Sequence, residues 1–169
     1  MILLTAPSKL DISAIATKVP SVFLAGGISN CKDWQSYIVS ELDRIWKKHD
    51  YIVYNPRREK FDIKDESVSA EQIAWEYWYI RQADIVTFWF TAETLCPITL
   101  FELGSTICRA GQQKIIIGID PNYQRKFDIE KQVELYSKSH KNKIFDIEIV
   151  YSLEDVIKET TKYVHRIFG

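Results

Sequence analysis

The sequence is poor in the residues that build metal centres and disulfide frameworks. Its three cysteines, Cys31, Cys96 and Cys108, stand far apart with no CxxC pair among 169 residues. An odd number without ligand spacing argues against a disulfide scaffold and against a zinc site. The three histidines, His49, His140 and His165, are equally scattered, so no metal and no cofactor is expected. No apolar run approaches the roughly 20 residues of a membrane span. The apolar start, Met1 to Ala6, is too short for a signal sequence and lacks a basic flank. A cytoplasmic protein without a membrane partner is the expectation. An excess of either charge is missing too: 22 basic against 23 acidic residues leave a net charge of -1. That balance offers no field for a nucleic acid polymer. It leaves room for a small ligand, neutral or singly phosphorylated. Repeats, low-complexity tracts and linkers are absent as well, which predicts one domain over residues 1–169.

What the chain has is apolar and aromatic content, 46% and 13%, enough for a buried core. Short apolar runs predict strands over 21–25, 51–54, 84–90, 114–119 and 145–150. Helices are predicted between them. The first covers about 34–48, capped by Asp33, with Tyr37, Leu42, Ile45 and Trp46 as its stripe. The second covers 69–82 with Ile73, Tyr77 and Ile80 on one face, after a loop over 57–68. Another covers 99–110, stopped by Gly111. A short helix near 128–138 and a closing helix over 153–168 complete the set. The first 20 residues read as an irregular or strand-like lead-in. Strands alternating with helices predict an α/β, doubly wound sheet of about five mainly parallel strands with helices on both faces. Such sheets bind ligands beyond the carboxyl ends of their strands.

Four segments fall there or close by. Gly26-Gly27-Ile28-Ser29-Asn30 follows the first strand; paired glycines allow close backbone approach, and the next helix start favours an oxygen-rich group. It matches neither GxGxxG nor the Walker pattern, and a tight turn explains the glycines equally well. Asn30 and Asp33 offer hydroxyl-binding groups or helix caps. Asn55-Pro56-Arg57-Arg58 ends the second strand: an amide for a hydroxyl or base edge and arginines for a phosphate, or a turn with solvated arginines. Trp75-Glu76-Tyr77-Trp78-Tyr79 places a carboxyl among four aromatics, where desolvation raises its pKa and favours the protonated acid. Thr99-Leu100-Phe101-Glu102 has two readings. It is a capping box, with Glu102 bonding back to the Thr99 backbone, or it puts a carboxylate into the ligand crevice.

The ordered set Phe23-Leu24-Ala25-Gly26-Gly27-Ile28, Tyr54-Asn55-Pro56-Arg57, Ala83-Asp84-Ile85-Val86 and Phe101-Glu102-Leu103-Gly104 resembles the nucleoside 2-deoxyribosyltransferase family. The likeness is greatest to small bacterial and phage members with a Trp-Phe pair, here Trp89-Phe90, and a Cys-Pro-Ile-Thr-Leu-x-Glu-Leu-Gly signature. It runs from about residue 21 to about 125. The resemblance implies a flavodoxin-like sheet and cleavage of a nucleoside N-glycosidic bond by double displacement. Glu102 is then the nucleophile and Glu76 the acid that assists the leaving base. Gly26, Gly27, Ile28, Ser29, Asp33, Asn55, Arg57 and Trp89 are the expected substrate-binding residues. The substrate is a nucleoside or nucleotide, with a free base as acceptor, and the protein is a homo-oligomer with sites near a subunit interface. Three places depart from the patterns of the family: Glu76 stands where Asp is commoner, Cys96 stands where transferases carry Asp, and Ser29-Asn30 follow Gly27-Ile28 where relatives that hydrolyse nucleoside monophosphates carry an Arg. Hydrolysis by water, and non-catalytic binding of a nucleotide signal, are the alternatives on the same scaffold.

Overall fold

Runs of β-branched and aromatic residues such as Ile85–Phe90 and Lys114–Ile119 are buried along their whole length, as strands covered on both faces must be. The computed structural model describes residues 1–9, 19–47, 50–59, 64–109, 113–139 and 146–168. Among them the order is β1 (Ile2–Thr5), β2 (Ser21–Gly26), α1 (Trp34–Ile45), β3 (Ile52–Asn55), α2 (Glu66–Gln82), β4 (Ile85–Phe90), α3 (Pro97–Ile107), β5 (Lys114–Ile119), α4 (Lys126–Ser139), β6 (Ile147–Val150) and α5 (Leu153–Phe168).

All strand pairings are parallel, in the order β1-β3-β2-β4-β5-β6. The sheet is thus six-stranded rather than five. The extra strand is the apolar start of the chain, and it needs little hydrophobicity because an edge position buries only Leu4 well. Without it, the order is that of a flavodoxin-like doubly wound sheet. One core packs α2, α3 and α4 on one face through Phe23, Phe88, Trp75 and Ile117. The other packs α1 and α5 through Leu24, Trp34, Trp89 and Val156. The chain leaves β2 toward β3 on one side, and β4 joins β2 on the other. This switch point sets Gly26 beside Trp89 at the carboxyl edge.

Four helix readings change. α2 starts at Glu66, three residues early, because Asp65 caps it by accepting from the Ser67 and Val68 backbone N–H groups. Its buried face carries Trp75 and Tyr79, whose rings meet Phe23 and Tyr54 at 5.9 and 4.7 Å. Ile73 and Tyr77, from the expected stripe, are exposed. On α1, Trp34, Ile38 and Leu42 are buried, with Trp46 just beyond, while Tyr37 and Ile45 lie toward solvent. α3 starts at Pro97, with Cys96 in the left-handed region (φ 47°) as its N-cap. α4 is somewhat longer than expected. The expected stop at Gly111 and strand start at Phe145 lie outside the described residues.

Candidate functional site

At the switch point a cleft of about 360 Å³ opens, walled by Gly26-Gly27-Ile28-Ser29 after β2, Pro56 and Arg58 after β3, Gln72, Ile73 and Glu76 on α2, and Cys96 to Thr99 with Glu102 on α3. A wider groove between α1 and α5 is lined by Glu41, Arg44, Glu154 and Lys158 and holds none of the expected site residues.

The glycines have steric reasons. A Cβ on Gly26 would stand 2.5 Å from Trp34 Cζ2 and 2.6 Å from the Trp89 carbonyl oxygen, so only glycine fits. A Cβ on Gly27 would come within 3.0 and 3.1 Å of the Cys96 and Cys31 sulfurs. The Gly27 carbonyl accepts from Trp34 Nε1 at 2.9 Å, Arg57 Nη2 at 3.3 Å and Gln35 Nε2 at 3.4 Å. Three donors on one oxygen fix that peptide plane, and its trans geometry turns the Ile28 N–H the opposite way. The Cys96 thiol donates to the Thr94 carbonyl at 3.4 Å, and burial pushes its pKa up to about 11. At the position where the transferase pattern has Asp, this chain thus has a buried thiol at the start of α3.

Glu76 and Glu102 reach the same cleft from different helices. Both are partly buried, and burial raises both carboxyl pKa values; for Glu102 the neighbouring Glu76 charge adds to the rise, to about 8. Gln72 Nε2 donates to Glu76 Oε1 at 2.7 Å and opposes the rise there. Two like charges this close do not both ionise readily. Each carboxyl resists ionising beside the other, and a proton held there belongs to the pair rather than to one residue. The capping-box reading of Glu102 does not hold, because α3 begins at Pro97 and puts Glu102 in its second turn. Among the described residues, no hydrogen bond or ion pair holds its carboxyl.

Of the expected substrate-binding residues, Gly26, Gly27, Ile28 and Ser29 line the cleft. Asp33, Asn55, Arg57 and Trp89 do not. Asp33 caps α1 through the Ser36 N–H. Asn55 accepts from the Arg57 N–H at 3.0 Å. Trp89 packs into the opposite core. Arg57 donates to Gln35 Oε1 at 2.9 Å and to the Lys32 carbonyl at 3.0 Å, and pairs with Asp33 at 3.2 Å. Arg57→Met is therefore expected to act on folding: it strands the buried Gln35 Oε1 and one Asp33 charge, at a cost of about 2–4 kcal/mol. Thermal melting checks this; an unchanged melting temperature with a raised KM would return Arg57 to substrate binding.

Gln72 is a cleft residue that the sequence reading did not single out, and Arg58, read there with Arg57 as a phosphate ligand or a solvated turn residue, lines the cleft where Arg57 does not. Gln72 had a signal, its i, i+4 spacing from Glu76 on one helix face. Arg58 had another: in extended chain, neighbours point to opposite sides, so Arg57 turns toward α1 and Arg58 toward α2. Among the described residues there is no cluster of His, Cys, Asp and Glu able to hold a metal, and no helix long and apolar enough to cross a membrane.

The family model described as nucleoside 2-deoxyribosyltransferase like matches residues 19–123. No curated protein matches. Among solved structures, a conserved protein from Enterococcus faecalis V583 is similar, with a TM-score of 0.56 at 15% identity. The match covers 86% of this chain and 99% of that one, and at that identity it speaks for the fold alone.

Proposed function

The chain belongs to the nucleoside 2-deoxyribosyltransferase-like family, and on that premise we propose that it cleaves the N-glycosidic bond of a (deoxy)nucleoside and transfers the sugar to another base. The observation that carries the proposal is the pair of partly buried carboxyls, Glu76 and Glu102, that line one cleft at the switch point, both with pKa values raised by burial.

In the first step the Glu102 carboxylate attacks the anomeric carbon and the C–N bond breaks, its electron pair leaving with the base. Glu76 supplies the proton that neutralises the departing ring nitrogen. Positive charge developing on the sugar favours the ionised form of Glu102 and so leaves the pair's proton with Glu76. In the second step a ring nitrogen of the incoming base attacks the glycosyl ester, gives its proton to Glu76 and releases Glu102, with net retention. Water in place of that base gives hydrolysis. The Gly27-Ile28-Ser29 turn is suited to sugar hydroxyls. The test is incubation with mixed deoxynucleosides and one free base, followed by chromatography. Exchanged base is the expected product; absence of both exchanged and released base overturns the proposal.

Oligomerisation is common in the family, and a second copy of this chain is the proposed occupant of the apolar surface beside the cleft. Ile98 and Phe101 on α3 are 64% and 77% exposed, and Ile73 on α2 is 63% exposed; Ile73 and Ile98 also line the cleft. Self-association would cover them and narrow the cleft mouth. Phe101→Glu is expected to shift the protein toward monomer in sedimentation analysis. An unchanged mass would remove this surface from the interface.

A further inference from the structure

Two polar atoms in the cleft wall are left over once its internal bonds are drawn. Gln72 is only 5% exposed. Its Nε2 donates to the Pro56 carbonyl at 2.8 Å and to Glu76 Oε1 at 2.7 Å. Both partners are acceptors, so the amide is locked: flipping it would set oxygen against the Pro56 oxygen. Gln72 Oε1 is therefore held as an acceptor, buried and without a partner among the described residues. Arg58 has a side chain 15% exposed, and its Nη2 pairs with Glu71 at 3.2 Å. Its Nη1 is buried and likewise has no partner among the described residues. The two residues are neighbours in the wall, since Arg58 follows Pro56 closely in sequence and its partner Glu71 adjoins Gln72. Buried donors and acceptors in folded proteins are nearly always paired, and an orphan of each kind on two residues that line one cleft calls for an explanation.

We propose that Gln72 and Arg58 are specificity-determining residues that read the hydrogen-bonding edge of the nucleobase. Gln72 Oε1 accepts from an N–H of the base, and Arg58 Nη1 donates to the carbonyl oxygen or ring nitrogen beside it. The inference rests on the glycosidic reading above, because Gln72 is bonded to the carboxyl that serves the leaving base. The surrounding surface fits a flat ring: Ile28, Ile73, Pro97 and Ile98 line the same cleft. A phosphate fits less well, since it brings acceptors only and leaves Gln72 Oε1 unpaired. In the free protein neither atom is in reach of water, so the pairing forms as the base enters and the two side chains adjust to it.

The experiment compares the best nucleoside with its analogue lacking the edge N–H. 2′-Deoxyadenosine is set against purine 2′-deoxyriboside, and 2′-deoxyuridine against its N3-methyl derivative. Wild-type protein is expected to prefer the N–H-bearing partner by at least about tenfold in kcat/KM, because rejecting an analogue that strands a buried polar group is efficient. Gln72→Met, which keeps the side-chain volume, is expected to bring that ratio close to one, whereas Arg58→Met removes the donor to an acceptor that both partners carry and is expected to slow both alike. Loss of Glu76 positioning in Gln72→Met would slow both substrates alike and leave the ratio unmoved. A wild-type ratio near one, or a ratio that survives in Gln72→Met, overturns the proposal; where bases are still exchanged, the glycosidic reading stands. If wild-type protein neither releases nor exchanges base, calorimetry with the free bases reads the same ratio. Base binding that depends on Gln72 then upholds the edge while the glycosidic reading falls, and no base binding overturns both.

Discussion

Replacing Glu102 with glutamine is expected to cut base exchange by about a thousandfold or more and, at pH 8, to make the protein more stable. The first effect follows from the chemistry: a neutral amide of the same shape has no charge with which to attack the anomeric carbon. The second follows from linkage. Burial and the Glu76 charge raise the folded-state pKa of Glu102 from 4.5 to about 8. Between those values the folded protein binds more protons than the unfolded chain, so stability falls as pH rises through that window and levels off above it. Glutamine does not titrate, so the variant escapes that loss. At pH 5 the two proteins should melt alike. At pH 8 the variant should be ahead by a margin on the order of a few kcal/mol. A capping residue would show neither effect, because glutamine accepts the same backbone N–H as glutamate. Melting curves at both pH values, with chromatographic assays on the same samples, check the pair of effects. Retained exchange would remove Glu102 as nucleophile, and a variant less stable at pH 8 would remove the buried-charge account.

Part of the candidate site was legible in the sequence and part was not. Apolar runs such as Ile85–Phe90 and Lys114–Ile119 could be little else than buried strands, and their alternation with helices led to the doubly wound sheet. The carboxyl-edge rule then pointed to Gly26-Gly27-Ile28-Ser29, and these residues do line the cleft. Glu76 was legible through its aromatic neighbours: burial does raise its pKa, although it is Trp75 and Tyr79 that pack the core, while Tyr77 and Trp78 face outward. The start of α3 was not legible. Thr99 with Glu102 matches a capping box, but Pro97 suits a first helical position, and the Cys96 backbone enters the left-handed region to begin the helix there. Local pattern cannot report a conformation that the surrounding packing imposes. The internal bonds of Arg57 were hidden for a related reason. An arginine at a strand end resembles an anion ligand in sequence, and only the tertiary structure brings Gln35, Asp33 and the Gly27 carbonyl to meet it.

Glu76 gives the sharper test of mechanism, because its role depends on the leaving group while its structural contacts do not. In wild-type protein the competent state carries one proton on the pair. Exchange activity should therefore fall on the acid side as a second proton binds, and on the alkaline side, near about pH 8, as the last proton leaves. Glu76→Gln has no proton to give. With ordinary nucleosides its rate is expected to drop about 10²- to 10⁴-fold, the usual range for a lost general acid. An N7-methylated purine nucleoside already carries the positive charge that protonation would create, so its cleavage should survive the substitution nearly intact. On that substrate the alkaline limb should vanish. The remaining acid limb should report Glu102 alone. Its midpoint should lie below 8, because the repelling Glu76 charge is gone, and still above the ordinary carboxylate range, because burial remains. Rates measured from pH 4 to 10 on both substrates decide the matter. An equal loss on both, or a bell that persists in the variant, would show that Glu76 holds the site together without handing a proton to the base.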